Sequence, residues 1–242
     1  MANIKSGIAP AVTGFRAPAV ETGRARLVAL TVTKMPDIPQ KQSHIDYQRQ
    51  FFDSHCEYFR QPIPAEIEER TRLIVKAAGL SPASTVVDVG TGTGVLIKHF
   101  LESGVRPGNI TGCDLSTNML NEAGERYPEV NFRQGDFVEF DGASDSVDAI
   151  FFNACFSNIF DQDRALQTAT RIAKQDGVIV LSQPLGNNFI ESLRVQYPQL
   201  VLTLMPSQEK LLDWAQRQQL TLDLLRDEPD FYLAMFRKSR CQ

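Results

Sequence analysis

The stretch VVDVGTGTGVL, residues 86–96, combines residue types that bind nucleotides. An apolar run that carries one acid, Asp88, leads into three glycines at alternate positions, and a helix-like segment follows. A strand that feeds a glycine-rich turn and then a helix is how many α/β proteins hold a nucleotide. The dinucleotide fingerprint G-x-G-x-x-G would need a glycine where Val95 stands, so the loop departs from it. The loop consists of Gly90, Thr91, Gly92, Thr93 and Gly94.

Asp88 narrows the kind of nucleotide that we expect. A carboxylate two residues before the loop would repel a partly desolvated pyrophosphate by about 1 kcal/mol or more. The same carboxylate attracts an ammonium group, and the N-terminus of the following helix suits a carboxylate. An amino acid joined to a nucleoside meets both demands, and S-adenosylmethionine is such a molecule. An NAD-dependent oxidoreductase is the weaker alternative, because the sequence contains no Y-x-x-x-K signature.

Two further acids follow the next two predicted strands. Asp114 ends the second strand, where an acid can accept hydrogen bonds from both ribose hydroxyls and would reject the 2′-phosphate of NADP. Asp136, in the segment QGDF, can accept a hydrogen bond from an adenine amino group, and Phe137 offers its ring to the base. Two alternatives stay open: Asp136 could cap a helix, and Phe137 could belong to the core.

These motifs, in this order, resemble those of the class I S-adenosylmethionine-dependent methyltransferases, in particular the small-molecule, bacterial-type branch. The resemblance extends from Tyr47 to Lys238 and includes the fourth-strand segment VDAIFFNACF. It implies that S-adenosylmethionine is the cofactor and that Asn153 lies beside its sulfonium. The cofactor-binding residues that it implies are Asp88, Gly90, Thr91, Gly92, Gly94, Asp114, Leu115, Asp136, Phe137 and Asn153.

Strand-like and helix-like segments alternate along most of the chain. A helix over 43–60 and a second one from Ala65 to Gly79 precede five strands that alternate with helices. The last two strand-like segments are too close for a helical crossover and therefore predict an antiparallel hairpin. The prediction is an α/β, Rossmann-like, doubly wound fold. It has a seven-stranded, mostly parallel sheet, a C-terminal antiparallel hairpin and an N-terminal helical cover. The methyltransferase domain would span 37–242, with lid helices within 43–80.

The acceptor side is predicted from the aromatic helix over 43–60, which would cover the cofactor. Its residues 47, 51, 55, 58 and 59 fall on one helical face, and 185–206 would shape the rest of the pocket. His55 is the candidate general base, because histidine titrates near neutrality. Alternatively, the aromatic face packs on the sheet and His55 has only a structural role. The candidates for the acceptor pocket are Tyr47, Phe51, Phe52 and Phe156.

The sequence departs at two positions from the residue pattern of the family that it resembles. Bacterial-type relatives often carry a histidine shortly after the fourth strand and another after the fifth, where this chain has Asn158 and Gln183. His44 and His99 are interpreted as ordinary residues, and Cys155 as a small apolar residue near the pocket. Methyl transfer from a sulfonium needs alignment and exclusion of water, so the sequence need not contain a base.

Two functions therefore stay open at this point. The first is S-adenosylmethionine-dependent methyl transfer to a small-molecule acceptor by in-line displacement. The second is a non-catalytic S-adenosylmethionine-binding protein that regulates or binds a partner. Only the enzyme would convert the cofactor to S-adenosylhomocysteine when an acceptor is present.

The composition limits the class of protein. The 242 residues are 43% hydrophobic and 22% charged, which is sufficient for one domain with a substantial core. No apolar run approaches the roughly 18 residues of a membrane span. The net charge of −4 and the scattered distribution of Lys and Arg disfavour nucleic acid as a partner. The oligomeric state is not predicted.

Residues 1–36 differ from the rest, with five basic residues and one acid among glycine, proline, alanine and threonine. Such an acid-poor leader resembles an organelle transit peptide, and its glycines and prolines favour a plastid over a mitochondrion. Alternatively, it is a disordered tail of a cytoplasmic protein. The cysteines lack zinc-ligand spacing, so we expect free thiols and no metal site. They are Cys56, Cys113, Cys155 and Cys241.

Overall fold

A computed structural model describes residues 40–239, which belong to a compact unit that spans Pro39–Gln242. The leader predicted over 1–36 and Cys241 lie outside the described residues. Seven strands form one sheet in the order β3-β2-β1-β4-β5-β7-β6. The strands are β1 Val86–Val89, β2 Ile110–Asp114, β3 Asn131–Gln134, β4 Val147–Asn153, β5 Ala173–Gln183, β6 Leu220–Glu228 and β7 Phe231–Lys238.

Five parallel strands and a C-terminal antiparallel pair make up this sheet, as the sequence predicts. β7 runs antiparallel to both of its neighbours, β5 and β6. The chain moves outward from β1 to β3 and returns to place β4 on the other side of β1. The topological switch point therefore lies between β1 and β4, and in such sheets ligands bind at the carboxyl ends of the strands there.

Helices pack on both faces of the sheet and across its carboxyl edge. The central strand β4 is buried on both faces from Ala149 to Phe152, which is typical of a parallel strand between two helical layers. The helices are α1 Lys41–Ser54, α2 Cys56–Phe59, α3 Ala65–Ala77, α4 Ile97–Glu102, α5 Thr117–Arg126, α6 Gln162–Ile172, α7 Gly186–Gln196 and α8 Gln208–Gln218.

The helix α5 shows how local sequence fixes these elements. Ser116 accepts a hydrogen bond from the backbone N–H of Met119, and this side-chain cap starts the helix. Met119, Leu120 and Ala123 follow at helical spacing and are buried under the sheet. The helix ends at Arg126, shortly before Pro128, which disfavours helical backbone in the residue before it.

Three predicted elements have different bounds in the structure. The aromatic helix over 43–60 is divided into α1 and α2, because the backbone leaves the helical conformation at His55. The helix after the glycine loop begins only at Ile97, since turns occupy 92–96. β5 begins at Ala173, before its apolar run. Its polar start contains Asp176 with a positive φ, and the β4–β5 register shifts between Val147 and Ala149.

Among residues 40–239, no helix is both long and apolar enough to cross a membrane.

Candidate active site

The glycine loop leaves β1 by bending over the end of β2. The backbone N–H groups of Gly90 and Thr91 both donate to the carbonyl oxygen of Cys113, at 2.8 and 3.0 Å. Gly90, Gly92 and Gly94 have φ values of +64°, +55° and +84°, in the left-handed region that glycine adopts without strain. The alternate glycines therefore have a backbone reason, which is the tight turn at the switch point.

Two of these glycines are required for different reasons. A Cβ atom on Gly90 would lie 2.6 Å from the Cβ of Cys155, because the segment after β4 packs directly against the loop. A Cβ atom on Gly92 would meet no heavy atom within 4 Å. Gly90 thus allows close packing, whereas Gly92 faces open space, as expected for a loop on which a ligand lies.

Asp88 is buried beneath this loop, with 2% of its surface exposed. The hydroxyl of Thr91 donates to its Oδ2 at 2.7 Å. Burial raises the pKa of Asp88 to about 7, the Thr91 hydrogen bond opposes that rise, and the charge of Asp114 adds to it. A carboxyl group in this state is stabilised as an anion when a cation such as an ammonium group is placed beside it.

Asp114 joins the glycine loop to the start of α5. Its Oδ2 accepts from the N–H of Gly92 and its Oδ1 from the N–H of Ser116, both at 2.9 Å. Burial raises the pKa of Asp114, and these backbone hydrogen bonds oppose the rise. Each carboxylate oxygen keeps a further lone pair, so the group can accept from two neighbouring hydroxyls such as those of a ribose.

Asp136 and Phe137 have structural roles in this conformation. Asp136 caps the short 3-10 helix Phe137–Glu139 by accepting from the N–H of Val138, and its other oxygen lies 3.4 Å from Lys41 Nζ. Phe137 is 4% exposed and packs edge-on against Phe152 in the core. The structure thus agrees with the cap and core alternatives, and its position gives the Phe137 ring no open face for adenine.

The remaining predicted cofactor residues also lie at the carboxyl edge. Asn153 ends β4, and its side-chain oxygen accepts from the Ser182 hydroxyl of β5 at 2.9 Å. Leu115 follows Asp114 directly, and its carbonyl oxygen accepts from Gln134 at 3.2 Å. The structure therefore brings together residues from the ends of β1 to β4, which are far apart in sequence.

The helices α1 and α2, here called the cover helices, cross this edge and are attached to several loops. Asp53 Oδ1 accepts from the Ser116 hydroxyl at 2.6 Å and from the Asn118 N–H at 3.1 Å. At the other end of α1, Lys41 reaches Asp136. The Thr93 hydroxyl of the glycine loop donates to the carbonyl oxygen of Phe59 in α2, at 3.2 Å. The cover helices thus lie over the loops that carry the predicted cofactor residues.

An aromatic cluster joins the cover helices to α7 and the segment after it. Phe51 is central, with its ring 5.3 Å from that of Tyr197 and 5.4 Å from that of Phe52 between centroids. The cluster packs against the buried side chains of Ile190, Leu200 and Val201. Its other members are Tyr47, Phe189, Leu193 and Leu204. The predicted aromatic helix and the segment predicted to shape the acceptor pocket therefore form one apolar unit.

The structure corrects the prediction for Phe156 and gives the contacts of His55, whose role as a base stays a prediction. Phe156 is fully buried between Phe152 and Trp214, so its ring belongs to the core and lines no acceptor pocket. The imidazole of His55 stacks on Phe51 at 4.3 Å, and its Nδ1 lies 2.7 Å from the Phe51 carbonyl oxygen. The contacts of His55 are thus those of a side chain that closes the end of α1.

Sequence reasoning missed the environment of His44, which it treated as ordinary. His44 is 1% exposed, and its Nε2 lies 2.7 Å from the carbonyl oxygen of Asn158, just beyond β4. Gln48, one turn further along α1, donates to the same oxygen at 2.5 Å and also contacts the His44 Nε2. A polar pair at i and i+4 between apolar positions was the only signal in the sequence.

Cys155 is buried beside the glycine loop, where its thiol donates to the Val89 carbonyl oxygen at 3.1 Å. Burial raises the pKa of this thiol well above its ordinary value, with the charge of Asp88 as a further cause. The thiol therefore stays protonated, which agrees with the interpretation of Cys155 as a packing residue rather than a nucleophile. Among the described residues, no three His, Cys, Asp or Glu side chains form a group that could hold a metal ion.

The sheet order defines a doubly wound α/β protein with the glycine loop at its switch point. Residues 87–181 match the family described as "Methyltransferase domain". The demethylmenaquinone methyltransferase of Renibacterium salmoninarum is 26% identical over 136 residues, which cover 56% of each chain. A ubiquinone/menaquinone biosynthesis C-methyltransferase of Campylobacter jejuni is 30% identical over 100 residues, 40% of this chain and 43% of that protein. The chain thus spans about half the length of the curated relatives it matches.

Solved structures share the fold at low sequence identity. A methyltransferase in complex with the Trm112 activator of Haloferax volcanii superposes with a TM-score of 0.66 and 18% identity, over 81% of this chain and 99% of that one. Magnesium protoporphyrin IX methyltransferase from Synechocystis, solved with bound SAH, gives 0.63 and 14% over 81% and 100%. The sequence matches thus relate residues 87–181 to methyltransferase domains, and the solved structures show that the chain shares the fold of such enzymes.

Proposed function

We propose that the protein transfers a methyl group from S-adenosylmethionine to a small-molecule acceptor by in-line displacement. The observation that carries this proposal is the arrangement of Gly92 and Asp114. Open space lies over the Cβ position of Gly92, and the Asp114 carboxylate beside it is fixed by two backbone N–H groups. This arrangement fits a nucleoside with free ribose hydroxyls, because the carboxylate can accept their hydrogen bonds. The same carboxylate would repel a 2′-phosphate.

Each part of the site has a role in this proposal. Asp114 accepts the ribose hydroxyls, Asp88 balances the ammonium group, and Asn153 lies at the edge of the methionine part. Asp136 can accept from the adenine amino group after Lys41 has moved away from it. When bound, S-adenosylmethionine supplies a methyl group that its sulfonium has already activated. The protein then has to align the acceptor and keep water out, and the cover helices are placed to do both.

The acceptor in this proposal is an aromatic hydroxyl compound of the quinol type. Two observations support it. The matched relatives are named demethylmenaquinone methyltransferase and ubiquinone/menaquinone biosynthesis C-methyltransferase. In addition, Tyr47, Phe51, Phe52 and Tyr197 form an aromatic cluster where the cover helices meet α7, and aromatic side chains pack favourably on planar rings.

Calorimetry on the full chain tests the cofactor assignment. We expect micromolar binding of S-adenosylmethionine and S-adenosylhomocysteine, no binding of NADH, and loss of both complexes in Asp114→Ala. The matched control is Asp141→Ala, which removes an exposed surface carboxylate that pairs with Arg133. Binding of NADH, or unchanged binding by Asp114→Ala, would refute the cofactor assignment.

Turnover separates the enzyme from the non-catalytic alternative. The probe is 2-isoprenyl-1,4-naphthohydroquinone kept reduced, with S-adenosylhomocysteine and methylated product quantified together. Equal amounts of the two products support the proposal. Tight cofactor binding without turnover on this probe or on simpler phenols would favour the S-adenosylmethionine-binding partner protein.

A further inference from the structure

We propose that His44 is the general base that takes the proton of the acceptor, and this inference rests on the proposed methyl transfer. His44 differs from His55 in burial, because its unpaired ring nitrogen is enclosed by the protein. Its Nε2 lies 2.7 Å from the Asn158 carbonyl oxygen, and its Nδ1 is buried without a hydrogen-bond partner among the described residues. His55 instead directs its Nδ1 at a carbonyl oxygen of its own helix.

The position of His44 is defined by its contact with the segment that follows β4. Asn158 ends the short 3-10 helix Phe156–Asn158, which begins three residues after β4. The start of this segment touches the glycine loop, because Cys155 bonds the carbonyl oxygen of Val89 and abuts Gly90. His44 therefore attaches the cover helix α1 to the segment that joins β4 to the glycine loop.

The segment after α7 borders the same place from the other side. The N–H groups of Leu202 and Thr203 donate to the Ser157 carbonyl oxygen, at 3.1 and 3.2 Å. Gln162 donates to the carbonyl oxygen of Phe156 and to the hydroxyl of Thr203. The 3-10 helix is thus enclosed by α1, α6 and the segment of the aromatic cluster.

The proposal assigns the proton of His44 to Nε2, which contacts the Asn158 carbonyl oxygen and the Gln48 amide nitrogen. A backbone carbonyl only accepts hydrogen bonds, so a protonated Nε2 satisfies it. Nδ1 is then the basic nitrogen. Gln48 donates to the second lone pair of the same oxygen and holds the carbonyl in place. Around the ring, the described contacts are Gln48, Asn158 and the ring of Phe160, and none of these groups titrates.

A buried nitrogen lone pair without a donor is unfavourable, and buried polar atoms in proteins are nearly always paired. A hydroxyl of the acceptor would satisfy it. In the proposed step the hydroxyl proton passes to Nδ1, and the electron pair released on the acceptor forms the new bond to the methyl carbon. The pair of the broken carbon–sulfur bond stays on sulfur, and the imidazolium later releases its proton to water. No oxidant or further reactant is required.

The test compares His44→Gln and His44→Ala with Gln48→Ala in the full chain. Gln48→Ala disturbs the same buried cluster but keeps the imidazole, so it is the matched control. We expect both His44 variants to lose about 100-fold or more in kcat on the reduced naphthohydroquinone probe, as for a general base. KM and the affinity for S-adenosylmethionine should stay within about 3-fold, and the ascending limb of the pH–rate profile should disappear. Gln48→Ala should keep that limb.

A second measurement does not depend on turnover. Nitrogen NMR of the imidazole in the wild-type protein should show a protonated Nε2 and a bare Nδ1. Addition of the probe to the complex with S-adenosylhomocysteine should shift the Nδ1 signal and leave that of His55 unchanged. A protonated Nδ1 in the free protein would overturn the proposal, as would equal kcat losses in His44→Gln and Gln48→Ala.

The two proposals fail in distinguishable ways. If the wild type binds S-adenosylmethionine but methylates no phenolic probe, the proposed function fails and the NMR result alone decides the state of His44. If the wild type turns over and His44→Gln does so equally well, only the role of His44 is refuted.

Discussion

The proposed cofactor half of the site and the proposed acceptor half are built by different means. The cofactor half consists of glycines and backbone N–H groups at the ends of β1 and β2, with Asp88 and Asp114 held by short local contacts. The acceptor half consists of side chains from the cover helices and α7, which only the tertiary fold brings together. The first should therefore tolerate almost no change in backbone or volume, and the second should tolerate substitutions that keep its apolar volume.

The largest effect is expected at Gly90, where the loop after β1 packs directly against the segment after β4. Gly90→Ala has to strain a left-handed backbone and displace Cys155, whose Cβ would lie at 2.6 Å. Together these should lower the free energy of unfolding by about 2–5 kcal/mol. Gly79→Ala is the matched control, since Gly79 has a similar φ of +63° and open space around it. Chemical denaturation that gives equal losses for the two variants would contradict the packing argument.

The next effect separates ligand binding from stability within the same loop. Gly92→Ala should destabilise the free protein no more than Gly79→Ala, because its Cβ meets no atom. It should nevertheless weaken S-adenosylmethionine binding by about 10–100-fold, since the methyl group would occupy space that the ligand needs. Calorimetry on both variants measures this, and undiminished binding by Gly92→Ala would move the ligand away from the loop.

The pH dependence of binding tests the charge of the cofactor half. With its pKa near 7, Asp88 is mainly protonated at pH 6 and mainly ionised at pH 8. If the ammonium group pairs with the carboxylate, affinity for S-adenosylmethionine should rise about tenfold over this range. Asp88→Asn should bind weakly at both values. Calorimetric titrations at the two pH values check this, and a pH-independent affinity in the wild type would contradict it.

In the free protein, Asp88 should make the free energy of unfolding fall as pH rises, whereas the affinity for S-adenosylmethionine should rise with pH. Because folding raises the pKa of Asp88 above its unfolded value, the folded state holds more protons between about pH 4 and 7. The Asp88 contribution to stability is thus present at low pH and is lost as pH rises through this window. Asp88→Asn should show a smaller decrease in unfolding free energy from pH 5 to pH 8 than the wild type.

Substitutions in the acceptor half should change the binding of the acceptor and leave the binding of the cofactor nearly unchanged. Phe51→Leu keeps much of the apolar volume of the aromatic cluster, and Phe51→Ala removes it. We expect KM for the naphthohydroquinone probe to rise about tenfold in Phe51→Ala and far less in Phe51→Leu, in line with the loss of roughly 1–2 kcal/mol of aromatic contact. The affinity for S-adenosylmethionine should change by less than about 3-fold in both. A loss of cofactor binding equal to that of acceptor binding would show that the two halves are not separate.

The smallest effect is expected at Lys41, the outermost attachment of the cover. Its Nζ lies near Asp136 and Glu139, but the side chain is 36% exposed, and such pairs contribute about 0–1 kcal/mol. Lys41→Met should hardly alter thermal stability. It should improve S-adenosylmethionine binding by up to about 3-fold, because Asp136 becomes available to the adenine. Weaker binding in this variant would count against Asp136 as the adenine acceptor.

The geometry of Asp88 and the glycine loop was predictable because it depends mainly on neighbouring residues in the sequence. Strand, glycine and acid follow one another within a few residues, so the sequence determines their geometry once the sheet forms. The caps at Ser116 and Asp161 were predictable for the same local reason. The acceptor half was not, since Phe156 could as well face a pocket as the core, and only packing against Trp214 decided it.

The helix break at His55 and the burial of His44 also depend on tertiary packing, which the local sequence does not determine. A helical wheel places His44 on the same face as Phe51 and His55, so the wheel does not distinguish the two histidines. In the fold, His44 is buried against the loop after β4, whereas Phe51 packs in a separate apolar unit. Which residues of one helical face lie nearest to the site cannot be derived from the helix alone.

The sheet order also has a consequence for synthesis of the chain. β7 lies between β5 and β6, although it is made after both of them. While the ribosome is still translating residues 229–238, β6 has no partner at the place where it finally pairs, and the apolar edge of β5 stays open. The sheet is therefore completed late, when β7 inserts between β5 and β6. A nascent chain that stalls before Phe231 would present two unpaired strand edges to chaperones or to other copies of itself.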